Sequence, residues 1–120
     1  MYNINYLKSF SGKRTKSYSF TIHSAEDVII PGCFGDSLMR MPRKLITTGM
    51  EITVEEGYSI IIVGRNGLAS NHGLFLMSDI ILTPECFGEL KVVLCNLGVK
   101  SFEITKGNII ADALCFKTGE

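Results

Sequence analysis

The segment Gly64-Arg65-Asn66-Gly67-Leu68-Ala69 has the spacing most able to do chemistry. An arginine beside a glycine-flanked bend, where backbone N–H groups can converge, makes a phosphate cradle. A tight turn carrying one surface arginine would show the same letters, and spacing alone does not choose between them. Other constellations are missing. There is no G-x-S-x-G around a serine, no P-loop, no H-E-x-x-H and no dinucleotide G-x-G-x-x-G. His23 and His72 stand too far apart in sequence to suggest a metal pair, and each reads as structural. Cys33, Cys86, Cys95 and Cys115 lack the close C-x-x-C spacing of a zinc site. They are expected to be reduced, partly buried thiols rather than a disulfide framework. The five methionines form no stripe and read as core filling.

The chain has 120 residues, with 12 Lys+Arg against 12 Asp+Glu. That length predicts a single domain over 1–120, and the balanced charge excludes a protein-wide basic surface for nucleic acid. The charge is uneven, however. Residues 1–44 hold seven basic residues and three acidic ones, a net +4, and residues 45–120 hold five and nine, a net −4. Lys8, Lys13, Arg14 and Lys16 fall in residues 1–16, which read as a solvated basic N-terminal arm. No stretch approaches the ~20 apolar residues of a membrane span. Residues 1–16 lack the apolar segment of a signal peptide, so a cytoplasmic protein without membrane contact is expected.

Short β-branched and aromatic runs, separated by turn residues, must position these groups. Tyr18 to Ile22 alternates apolar and polar residues, as a half-buried strand does. Val28-Ile29-Ile30 stops at Pro31-Gly32. Leu45 to Val54 follows, and Tyr58 to Val63 is apolar enough to suggest burial on both faces. Gly73 to Met77, Ile80 to Leu82, Leu90 to Cys95, Phe102 to Ile104 and Ile109 to Phe116 continue the series. Strands at such spacing predict an all-β antiparallel barrel or sandwich, with at most one or two helical turns. Asn66-Gly67 is compatible with a hairpin turn or with a bend into a short helical turn. Gly32 to Lys44 is expected to be a long exposed loop.

Several of these segments resemble the trimeric dUTPase family. Gly64 to Ala69 is similar to its P-R-S-G-L-A motif, and Gly88-Glu89-Leu90-Lys91-Val92-Val93-Leu94-Cys95-Asn96-Leu97-Gly98 to its G-E-I-K-V-x-L-x-N-L-G strand. Phe102 to Ala111 resembles F-x-I-x-x-G-D-R-I-A, and Thr47-Thr48-Gly49-Met50 and Glu56-Gly57-Tyr58 match the T-G-I and E-G-Y signposts. The resemblance covers about residues 17–116. It implies a dUTPase-like antiparallel β-barrel of β-clip or jelly-roll type, and a homotrimer with sites between subunits.

The matches fall on the scaffold more than on the chemistry. Where the family has the Asp that activates water, in G-V-I-D-x-D-Y-R-G, this chain has Thr83. A threonine hydroxyl cannot serve as general base near neutral pH. Cys86 stands for the family's Tyr, Ser19 for the acidic residue of the first motif, Asn66 for the serine of P-R-S-G, and Asn108 for an Asp. Asp112 replaces a Gln, and a carboxylate there would repel a triphosphate. The family's Gly-rich closing arm has no match before Lys117-Thr118-Gly119-Glu120. Glu85 is the one substitute base, about 6.6 Å from Thr83 if the chain were extended; no catalytic residue is otherwise assigned.

These departures lead to the expectation of a protein that has lost dUTP hydrolysis. It would act by binding a nucleotide-like ligand or a protein partner. An active divergent dUTPase, taking dUTP to dUMP and pyrophosphate, is one alternative; a structural assembly module is the other. Arg65, Asn66, Gly67, Ile81, Cys86 and Gly88 are the candidate nucleotide- and phosphate-binding residues. Mg²⁺ is expected only where nucleotide binding or hydrolysis is retained, and the residues suggest no metal site of their own. Small chains of this family with stripped motifs occur in viruses and phages, so the resemblance suggests a viral origin.

Overall fold

The computed structural model describes residues 2–4, 18–33 and 42–118. Along them run ten strands and one helix: β1 (Tyr2–Ile4), β2 (Tyr18–His23), β3 (Val28–Ile30), β4 (Arg43–Ile52), β5 (Tyr58–Val63), α1 (Asn66–His72), β6 (Leu74–Leu76), β7 (Ile80–Leu82), β8 (Glu89–Asn96), β9 (Phe102–Ile104) and β10 (Ile109–Lys117). The fold is all-β. One sheet has the order β1-β4-β8-β6, a second β2-β10-β5-β7, and β3 pairs with β9.

Period-2 patterning builds the core. Ile46, Thr48, Met50 and Ile52 alternate inward along β4, opposite Leu90, Val92 and Leu94 of β8. From the second sheet Ile22, Ile60, Ile62, Ala113 and Cys115 join the same buried cluster. Each fully buried aliphatic side chain contributes about 1.5–3 kcal/mol. Register slips mark where the alternation breaks. Ile110 and Ala111 are consecutive and both buried because β10 shifts register against β2 between Ile109 and Ala111. A second slip lies between Thr47 and Glu51 on β4, where Gly49 takes φ 68° and its N–H donates to Glu89 Oε2 at 2.9 Å.

The Asn66-Gly67 ambiguity resolves as a helix rather than a hairpin. Gly73 ends α1 in the left-handed region (φ 72°), its N–H reaching Ala69 O at 3.0 Å, and Leu68 packs on the core. Gly73 also lies so close to the chain after β8 that an added Cβ would sit 2.6 Å from Gly98 N. His72 closes the helix, its ring 4.8 Å from that of Phe102. His23 is structural: Nδ1 donates to Gly107 O at 2.9 Å, so Nε2 accepts from Thr21 Oγ1 at 2.8 Å.

Several expectations need correction. The pairing is not wholly antiparallel, because β1 runs parallel to β4, with Tyr2 opposite Met50. A strand reached through a long connection is free of the hairpin constraint that would force the opposite direction. The same pairing removes Tyr2–Ile4 from the expected solvated arm; its basic residues, within 5–17, lie outside the described residues. β5 buries one face only: Ile60 and Ile62 point inward while Ile61 and Val63 stay half-exposed. The expected loop between Gly32 and Lys44 falls largely on residues 34–41, also outside the described residues, and Arg43 and Lys44 already belong to β4.

Candidate active site

The segment from Ile80 to Gly88 is not a hairpin. β7 pairs with β5 in the second sheet, whereas β8 pairs with β4 and β6 in the first. The connection therefore crosses between sheets and leaves a cleft of about 410 Å³. Ile81, Cys86, Gly88 and Lys91 line it, with Ile52 from β4. Phe87, on the crossing, is 95% exposed.

Within the crossing, Thr83-Pro84-Glu85-Cys86 forms a tight turn closed by Cys86 N–H to Thr83 O at 2.9 Å. Proline at the second position fixes the φ that such a turn needs. The turn changes the geometry expected for an extended chain. It folds the Glu85 carboxylate back onto Thr83, whose hydroxyl donates to Glu85 Oε1 at 2.8 Å. Cys86 Sγ completes the group, accepting the Thr83 N–H at 3.5 Å and lying 3.6 Å from Thr83 Oγ1. The Thr83 hydroxyl, and then a backbone hydrogen bond, hold the Glu85 carboxyl below the usual carboxylate range. Such a carboxylate is ionised and exposed.

Arg65 is at a different place. It is the N-cap residue of α1, in extended conformation, directly after β5. Its Nη1 donates to Asp112 Oδ1 at 3.1 Å, and both side chains are about one-third exposed (35% and 34%). Asp112 was expected to repel phosphate; it also occupies the arginine that would bind phosphate. This ion pair depends on β10 register, and only the acidic replacement at position 112 signalled it. Asn66 and Gly67 are exposed on the first turn of α1. None of Arg65, Asn66 and Gly67 lines the cleft that joins Ile81, Cys86 and Gly88.

The other departures noted in sequence have structural uses or none. Asn108 Oδ1 accepts the Thr105 N–H at 2.7 Å and so closes a turn. Ser19 is exposed on β2 opposite Leu114. All four cysteines are free. Burial pushes the Cys95 and Cys115 thiols up, so they stay protonated and inert, but Cys86 is exposed rather than partly buried. Among the described residues no three His, Cys, Asp or Glu side chains converge, so this donor set does not fit a Mg²⁺ cage of its own. A cation entering with a triphosphate would be carried by phosphate oxygens. No described helix is long and apolar enough to cross a membrane.

Comparison with known proteins gives a coherent result. A dUTPase family model matches residues 6–120. A deoxyuridine 5'-triphosphate nucleotidohydrolase of Nautilia profundicola is 40% identical over 97 residues, covering 79% of this chain and 62% of that protein. One from Wolinella succinogenes is 39% identical over 85 residues, covering 68% and 57%. One from Chlamydia trachomatis is 31% identical over 122 residues, covering 93% and 78%. The chain spans about three-fifths of the length of the first two. Among solved structures, a Staphylococcus bacteriophage 80alpha dUTPase variant superposes with TM-score 0.70 at 18% identity, covering 85% of this chain and 77% of that one. A dUTPase from Streptococcus mutans gives 0.67 at 14% identity, covering 89% and 80%. The structural likeness concerns the fold. The curated names overturn the expectation that hydrolysis has been lost: relatives at 31–40% identity are dUTP hydrolases. Thr83 has no carboxylate of its own, but that of Glu85, the substitute named from the sequence, lies 2.8 Å from its hydroxyl.

Proposed function

Because this chain belongs to the dUTPase family, we propose that it hydrolyses dUTP to dUMP and pyrophosphate. The observation that carries this reading is the Thr83–Glu85 contact of 2.8 Å, which holds a carboxylate beside the residue that stands for the family's water-activating Asp. Glu85 accepts a proton from water as the water oxygen attacks the α-phosphorus. The bond from that phosphorus to the bridging oxygen breaks, and pyrophosphate leaves with the electron pair. Thr83 orients the carboxylate and takes no proton. Ile81, Cys86 and Gly88 receive the nucleoside, while Arg65, with Asn66 and Gly67, meets the phosphates.

The two halves of this site lie apart on one chain, and a homotrimer reconciles them by placing the Arg65 loop of one copy at the cleft of the next. Exposed apolar groups support such an assembly. Ile81, Ile61 and Leu114 face each other across β7, β5 and β10 on the outer face of one sheet, with Ile81 59% and Leu114 42% exposed. Light scattering is expected to give three times the 13.2 kDa chain mass. A monomer would remove the shared site.

The activity itself is tested by pyrophosphate release from dUTP with Mg²⁺ at high protein concentration. The unmodified chain is expected to turn over, and Arg65→Ala to lose about 10²–10³ in rate through lost stabilisation of phosphate charge. Absence of turnover in the unmodified chain would refute the proposal.

A further inference from the structure

We infer that Asp112 is a built-in competitor for Arg65, which a phosphate ligand must displace to grip the guanidinium with two bonds and which hastens its release. The inference rests on Arg65 as a phosphate-binding residue. Position comes from the backbone. Asp112 stands opposite Val63 of β5 on one side and Thr21 of β2 on the other, so sheet register fixes its height. Arg65 leaves the same β5 two residues beyond Val63. The carboxylate is thus delivered to the guanidinium by strands, not by flexible chain.

The contact is a single one, Nη1 to Oδ1 at 3.1 Å. It lacks the two parallel bonds that make arginine–carboxylate pairs strong, and a third of each side chain is open to solvent. A phosphate group can therefore reach the arginine, but to take Nη1, and so the bidentate grip, it must replace a carboxylate already held there. A tethered competitor acts at an effective concentration of order millimolar. It raises the dissociation constant of any phosphate ligand by a constant factor. After hydrolysis the same carboxylate is in place to recapture Arg65 from pyrophosphate.

The test is calorimetric titration of the full chain with inorganic pyrophosphate, using unmodified protein, Asp112→Asn, Arg65→Ala and the double variant. Asp112→Asn is expected to bind pyrophosphate about fivefold more tightly, the scale of a part-exposed ion pair. In the Arg65→Ala background the same change is expected to do nothing, because the competition is for that arginine. Equal tightening in both backgrounds would overturn the inference, leaving only through-space repulsion. So would unchanged affinity, and so would no measurable binding by any of the four proteins. Turnover of dUTP, measured on the same samples, separates this result from the proposed activity: an arginine-dependent gain with no turnover keeps the competitor and rejects the hydrolase.

Discussion

Glu85→Gln is expected to lower dUTP turnover by two to four orders of magnitude, roughly the range of a lost general base. The melting temperature should not move. The Glu85 side chain is exposed and, among the described residues, its one side-chain partner is the Thr83 hydroxyl, which glutamine can still engage through its carbonyl oxygen. A structural role would give the opposite pattern, with stability falling and rate following it. The pH profile supplies a second readout. A carboxylate held low works as a base above its folded pKa, so turnover should survive below the ordinary carboxylate range and fail only as pH drops through the depressed value. Thr83→Val removes the largest cause of that depression, so the acidic limb should move upward in pH. Full activity in Glu85→Gln would eliminate Glu85 as the base.

The largest effect on stability is expected at Asn96, at the end of β8. Its side chain is fully buried, and Nδ2 reaches three carbonyls: Ile30 O at 3.1 Å, Pro31 O at 3.1 Å and Lys100 O at 2.9 Å. Two hydrogens are shared among three acceptors, while Oδ1 takes the Gly98 N–H at 2.9 Å. One amide thus ties the β3 end to the chain after β8, where Gly73 and Gly98 meet too closely for side chains. Asn96→Ala leaves these groups without their partner and is expected to cost roughly 3 kcal/mol or more, about 10 °C in melting temperature. Asn96→Asp should be comparably damaging, since a carboxylate faces carbonyl oxygens it cannot satisfy. A loss below about 1 kcal/mol in thermal denaturation would show that water replaces the amide there.

Much of the strand pattern was legible because alternation and turn residues are local. Val28 to Ile30 before Pro31-Gly32, and Phe102 to Ile104, coincide with β3 and β9. What stayed hidden was decided over distance. Asn66-Gly67 carries equal local signals for two outcomes, and the left-handed Gly73 with the packing of Leu68 selected the helix. Tyr2–Ile4 became a strand only because an edge of β4 was available to it. The Arg65–Asp112 pair spans 47 positions and exists through sheet register, which no local spacing encodes. Pro84 was the readable clue that Thr83 to Cys86 turns rather than extends, and with it the position of Glu85.

Strand β10 has a consequence for how the molecule comes into being. It is the partner of both β2 and β5, so one flank of its sheet begins at Tyr18 and the closing strand ends at Lys117. During synthesis at about 5–20 residues per second, β2 waits several seconds for its neighbour. Throughout that interval Phe20 and Ile22 have no strand to lie against, and the loop closure that finally unites the ends is a slow, high-contact-order step. Folding of this sheet therefore waits until β10 has emerged, and until then the nascent chain is a natural client for chaperones that shield unpaired β edges.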